Sequence, residues 1–196
     1  MKKALAILLV LLVAGVAFGA DGNTLNLQST MGVKVNHGFS STDLTTFNSI
    51  FSPTTAFADP TEVVDMESSA SQAVGYYAFA SNARVAVTVK LTASDLVGPG
   101  SVVVPYTLTA TKSAGTVGIT PVVIATTGVL GSTTPSSVEG VLLNASTQNG
   151  PKYASYSLAV VFDGTANAEY GLPETNSTEG SETYYSGTVV ASITGI

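Results

Sequence analysis

His37 is the only histidine in the chain, and there is no cysteine. Zinc and haem sites built from His and Cys clusters are therefore excluded. A Ser-His-Asp relay would have to use His37 as its base, and no Gly-x-Ser-x-Gly elbow frames any serine. A solvated turn histidine is the expected role. Two oxygen-rich stretches remain: Asp59, Glu62 and Asp65, followed by Glu67, and Asp163, Asn167 and Glu169. They carry the hard oxygen ligands that calcium takes, but neither follows an Asp-x-Asp-x-Asp-Gly spacing. Solvated polar loops are expected there, with Asp59, Glu62, Asp65, Asp163, Asn167 and Glu169 as weak calcium candidates. No phosphate loop or dinucleotide fingerprint occurs. Trp is absent, so no sugar-stacking platform is announced; Tyr76, Tyr77, Tyr184 and Tyr185 are expected in core or girdle roles. The residues thus predict no catalytic site, no cofactor and no enzyme.

Composition points to an exported protein. Met1-Lys2-Lys3 precedes an apolar run from Ala4 to Val16, and Ala17-Phe18-Gly19-Ala20 offers small residues for cleavage. This is the pattern of a secretory signal peptide, expected over residues 1–20, and the run is short for a span of about 20 residues. Without Lys2 and Lys3, five basic residues face thirteen acidic ones, a net charge near −8. The five are dispersed, so phosphate neutralisation and nucleic-acid binding are excluded. An acidic mature chain is not drawn to anionic membrane surfaces, and no stable membrane insertion is expected of it. The absence of cysteine means no disulfide framework, so residues 21–196 must form one domain on their own core.

The elements that would position any site are strands. Leu25, Leu27, Met31, Val33 and Val35 alternate with polar residues, which predicts a strand over 24–35. Residues 37–67 read as a Ser/Thr/Asp-rich segment, with a short helical turn through Leu44, Phe47, Ile50 and Phe51 capped at Thr42 or Asp43. Residues 72–80 predict a strand apolar on both faces. Ala83, Val85, Val87, Val89 and Leu91 form one face of the next, and the two are expected to pair as a hairpin. Further strands are predicted over 102–108, 117–125, 138–145 and 153–163, separated by Gly/Pro turns including Lys112–Gly115. An acidic loop is expected over 164–182. The closing stretch 184–196 alternates again, with Val190 the apolar exception on its polar face; 153–163 is its expected neighbour and Leu25–Val35 the alternative.

Seven to nine short strands without βαβ alternation predict an all-β fold, a single antiparallel β-sandwich of Greek-key, Ig-like type. A closed up-and-down barrel is the second choice, and an outer-membrane barrel is disfavoured by Arg84 and Lys90 on a strand face.

The closing residues Tyr185-Ser186-Gly187-Thr188-Val189-Val190-Ala191, with the Lys-Lys signal peptide and the cysteine-free Ser/Thr/Val/Gly-rich body, resemble bacterial secreted surface subunits of fimbrial and spore-coat type. Such proteins often finish on a Tyr-x-Gly-Thr-Val-x-Ala strand. The resemblance implies a structural protein whose subunits join by donating a strand to a neighbour's sheet. Many pilins carry a disulfide, and this chain departs from them there. The expected function is thus a non-catalytic exported structural subunit of fimbria-like or matrix type. Its assembly strand would be residues 24–35, through Leu25, Leu27, Met31, Val33 and Val35. The alternative is an adhesion or carbohydrate-binding module. Expected partners are further copies or other surface proteins; the expected location is periplasm, cell surface or extracellular space.

Overall fold

A computed structural model of the chain describes residues 34–52, 54–55, 57–58, 62–147, 150–172 and 184–195. Among them, strand accounts for 47% and helix for 10%, and every sheet is antiparallel. The chain is all-β. A five-stranded sheet has the order β1 (Val35–Ser40), β2 (Gln72–Ser81), β9 (Lys152–Val161), β6 (Thr107–Gly115) and β7 (Val122–Ala125). A three-stranded sheet has the order β10 (Val189–Thr194), β3 (Val87–Ser94) and β8 (Ser137–Ala145). A small ribbon pairs β4 (Leu96–Val97) with β5 (Val103–Val104).

Period-2 patterning explains the core. In β3, Val87, Val89, Leu91 and Ala93 are fully buried while Thr88, Lys90, Thr92 and Ser94 alternate with them at intermediate exposure. Successive side chains of a strand point to opposite faces, so one face enters the core. One buried cluster joins β3 and β8 to the larger sheet, through Val89, Leu91 and Leu143 on one side and Phe79, Leu108 and Tyr156 on the other. The sheets are also tied by polar bonds at the β7 and β8 side. The Tyr156 hydroxyl and the Ile119 N–H both donate to the Leu142 carbonyl, at 2.7 and 2.8 Å. Burial, partly offset by the bond from the Ile119 backbone, pushes the Tyr156 phenol up to about 12.

β2 is apolar on both faces because each face has a separate cover. Tyr77 and Phe79 enter the main core; Ala78 and Ala80 form a second cluster with Ile50. The small alanines let helix α1 (Phe47–Phe51) lie close, with Phe47, Phe51 and Tyr153 packed around. The helix begins at Thr46, where Thr46 and Ser49 form a capping box, not at Thr42 or Asp43. Asp43 instead accepts from Ser113 Oγ at 2.9 Å and Ser155 Oγ at 2.6 Å, pinning the preceding loop to the outer face of the sheet.

Four local expectations are corrected. Residues 72–80 and 83–91 do not form a hairpin: β2 and β3 lie in different sheets. The crossing between them is held by Lys152, which is fully buried and donates to the carbonyls of Ala83 at 3.1 Å and Val85 at 2.6 Å. The closing strand β10 pairs with β3, not with β9, because both edges of β9 are taken by β2 and β6. Lys112–Gly115 is not a turn; β9 offers a partner along the whole of β6, and a register shift between Lys112 and Ala114 absorbs the irregularity. The acidic segment after Asp163 starts as helix α2 (Gly164–Tyr170), since the Asp163 carboxylate accepts from the Ala166 N–H at 3.0 Å. A side-chain oxygen there satisfies one of the orphan donors of a helix start.

Lys152 yields a stability prediction. Removing it leaves two carbonyls without their donor and a void in the core. Lys152→Ala is expected to lower the unfolding free energy by about 2–4 kcal/mol in urea titration. Lys90→Ala, which breaks the exposed 2.9 Å pair with Glu139, is expected to cost less than about 1 kcal/mol.

Candidate functional site

The two sheets share one buried core. At the β7 and β8 side, Ile124 and Val122 pack against Gly140. On the other side, β1 pairs only with β2 and β10 only with β3 among the described residues. Between these two edge strands lies a cleft of about 730 Å³. Val74, Leu158 and Val160 of the larger sheet line one wall, and Val189 and Ala191 of β10 line the other. His37, Glu62 and Thr188 are polar groups of the lining, and Phe39, Phe57 and Val64 complete the β1 side. Leu158 and Val160 are buried and Val74 is partly buried, packed against the main core.

The closing sequence is explained by how it fixes β10. The Tyr185 ring lies directly on Gly98, where any side chain would meet it: a Cβ there would be 2.2 Å from Tyr185 Cε1. Ser186 and Val97 exchange backbone hydrogen bonds of 3.0 and 2.9 Å, and Ser94 N–H donates to the Thr188 carbonyl at 2.9 Å. The Tyr-x-Gly-Thr residues thus clamp the start of β10 to the β4 ribbon and β3. Val189, Ala191 and Ile193 then face the core, and Val190 stands 55% exposed on the outer face.

The corner where β1 begins is equally defined. Lys34 N–H donates to Asn82 Oδ1 at 2.7 Å, and Asn82 N–H donates to the Lys34 carbonyl at 3.3 Å. Val35 pairs with Ser81, the last residue of β2. β10 ends at the same corner, with Thr194 opposite Thr88 and Gly195 against the Ala86 carbonyl. Val35, the last of the assembly-strand candidates, is therefore the first residue of β1. Leu25, Leu27, Met31 and Val33 lie outside the described residues.

His37 sits in β1, half-buried, on the cleft wall. Its Nδ1 meets the Tyr77 hydroxyl at 3.2 Å, and that tyrosine is fully buried. It is thus not a solvated turn residue, and its partner is a phenol, not a serine or a carboxylate. Burial pushes the imidazole below its ordinary value and, with a smaller contribution from Tyr156, the Tyr77 phenol above its own.

The calcium candidates are brought partly together. Helix α2 packs on the turn before β2: Asn167, 2% exposed, donates from Nδ2 to the Met66 carbonyl at 2.7 Å, and Gly164 N–H donates to Ser69 Oγ at 3.1 Å. Asp65 accepts the Glu67 N–H at 3.0 Å, and Asp163 is spent on its cap. Glu62 and Glu169 are exposed, and Asp59 lies outside the described residues. No group of three His, Cys, Asp or Glu able to hold a metal forms among the described residues.

Among the described residues, two residues of charged type are buried without any sign of it in the sequence. One is Lys152. The other is Asp95, 1% exposed, whose Oδ2 accepts from Ser136 N–H and Oγ at 2.6 and 2.8 Å. Its charge adds to burial in pushing the Tyr106 phenol up to about 12. Isolated charged residues in alternating sequence carry no mark of burial, so only the topology reveals them.

Among the described residues no helix is long and apolar enough to cross a membrane. Comparison with known protein families, characterised proteins and solved structures finds no match.

The His37 environment predicts a pH effect. The unfolded chain binds a proton near the ordinary value of 6.5, and the folded chain only at lower pH. Stability rises with pH wherever the unfolded state holds more protons. The His37 contribution is therefore fully present above pH 6.5 and is lost as pH falls through the lowered folded value. Denaturant titrations from pH 7 to about pH 5 should show a decline that His37→Gln flattens; an equal decline in the variant contradicts the assignment.

Proposed function

We propose that this chain is a non-catalytic, exported structural subunit of a bacterial surface or extracellular assembly, fimbria-like or matrix-like, joined by exchange of the strand in residues 24–35. The reading starts from residues 1–20 as a cleaved signal peptide, which sends the chain to the periplasm, cell surface or medium. It takes the fold to be a Greek-key β-sandwich, supported by two antiparallel sheets that share one buried cluster and by strands that cross repeatedly between them. The observation that carries it is that, among the described residues, β10 has no partner on the edge away from β3, beside an apolar cleft that β1 bounds on its other side. A free edge is a template for another strand: main-chain hydrogen bonds give affinity, and pockets for alternate side chains give register. Exchange of an identical element between protomers is a low-cost route to assembly.

An adhesion module is supported by the same cleft, since His37, Phe39, Phe57, Glu62 and Val64 of its lining all come from the segment 37–67. Aliphatic residues outnumber the aromatic Phe39, Phe57, Tyr106 and Phe162 there, which suits an extended apolar peptide. Tyr77 is buried, and Tyr76, Tyr184 and Tyr185 are not in the lining.

The test is assembly of the purified exported protein. Sizing chromatography and electron microscopy over rising concentration are expected to show oligomers or filaments, and Leu25→Asp with Leu27→Asp to abolish them. A wild-type protein that stays monomeric at every concentration overturns the proposal.

A further inference from the structure

We infer that the cleft between β1 and β10 binds a small uncharged amphiphile, a single aliphatic chain whose head oxygen accepts a hydrogen bond from His37 Nε2. The inference does not rest on the subunit reading. Its occupant is a small molecule, and the described lining falls between His37 and Ala191.

Size and lining point to a ligand. Small-molecule sites are concave, roughly 300–1,000 Å³, mainly apolar, with a few polar groups that fix orientation. At about 730 Å³ this cleft is of that kind. Leu108, Leu158 and Val160 form its floor and are buried. With Phe39 and Val74 they come from β6, β9, β1 and β2, four neighbouring strands of one sheet. Three strand spacings make that path about 14 Å long, which suits a straight aliphatic chain. The β1 wall is built for it. The Phe57 ring lies on Gly38, where a Cβ would stand 2.5 Å from it, and the Ala58 N–H donates to the Phe39 carbonyl at 3.1 Å.

The polar contact is assigned by elimination. Among the described lining residues, His37, Glu62, Tyr106 and Thr188 carry polar side-chain atoms. The Thr188 hydroxyl is engaged with Ser94 Oγ at 3.3 Å, and Tyr106 is buried beside Phe162. His37 differs from both. The fully buried Tyr77 phenol has His37 Nδ1 as its one hydrogen-bond partner among the described residues. A buried O–H needs an acceptor, so the phenol donates and Nδ1 accepts. The neutral ring then carries its proton on Nε2, which has no partner among the described residues. Half-buried in the cleft wall, that N–H calls for an acceptor.

Charge selects the head group. Among the described lining residues Glu62 is the one acidic side chain, and no lysine or arginine stands with it. Burial holds the imidazole below its ordinary value, so at neutral pH it supplies no positive charge. A carboxylate head would meet Glu62 with no cation to compensate it. An ammonium head has no lone pair with which to accept from Nε2–H. A hydroxyl meets both conditions.

Calorimetric titration of the full purified protein at neutral pH, with decanol and separately with decanoate, tests the assignment. Decanol is expected to bind with a negative heat-capacity change, the mark of apolar burial. Decanoate is expected to bind at least about tenfold more weakly. Chemical-shift mapping with decanol is expected to move the signals of Leu158, Val160, Val189 and Ala191. Decanol that fails to bind, or that moves a different set of signals, overturns the site. Decanoate that binds as tightly as decanol overturns the head assignment. A double variant, His37→Phe with Tyr77→Phe, removes the donor together with the phenol it would otherwise strand. It is expected to weaken decanol about tenfold, and an unchanged affinity overturns the hydrogen bond. The wild-type titrations decide the site even where this variant folds poorly.

Discussion

Five strands facing three is the constraint on which the rest of this structure depends. The larger sheet offers one continuous apolar face, and β10, β3 and β8 together cover most of it. Hydrophobic burial scales with the area removed from water, at roughly 25 cal/mol per Å². Polar ties add to this burial at two places. Tyr156 and Ile119 converge on the Leu142 carbonyl at the β7 and β8 side, and Lys152 holds the crossing from β2 to β3. Among the described residues, these ties lie along one side and at one corner of the two sheets.

That arrangement also accounts for what the polar residues do. Asp43, Asp95 and Asp163 each accept hydrogen bonds from serine or from the backbone, holding a loop or starting a helix. His37 lies against Tyr77. Each of these groups has a mechanical task that its geometry explains. Among the described residues, the cleft and the edges of β1 and β10 beside it have no such local task.

Much of the fold was legible in the chain because period-2 alternation is a local property. Val87 to Ala93 and Val189 to Ile193 read directly as half-buried strands, and the double-sided burial of 72–80 could be read from its small and aromatic residues. Pairing was not legible, because it depends on which edges remain free once the sheet is built. β10 meets β3 since β9 is already enclosed, and no pattern within 184–196 carries that information. Boundaries failed where tertiary partners override turn residues, as at Lys112–Gly115 in β6. Of the candidate site, the cleft could not be read: Phe39, Val74, Leu158 and Val160 look like ordinary core residues, and only the topology brings them beside β10.

The central claim, that the edge of β10 away from β3 takes a strand on assembly, is tested most directly by hydrogen exchange of the protein in its assembled state. Along β10, alternate amides point toward β3 and toward the free edge. A bound strand predicts that both sets exchange slowly, at rates comparable to those of β3. Slow exchange confined to the amides that face β3, with the others exchanging as fast as exposed loops, would contradict it.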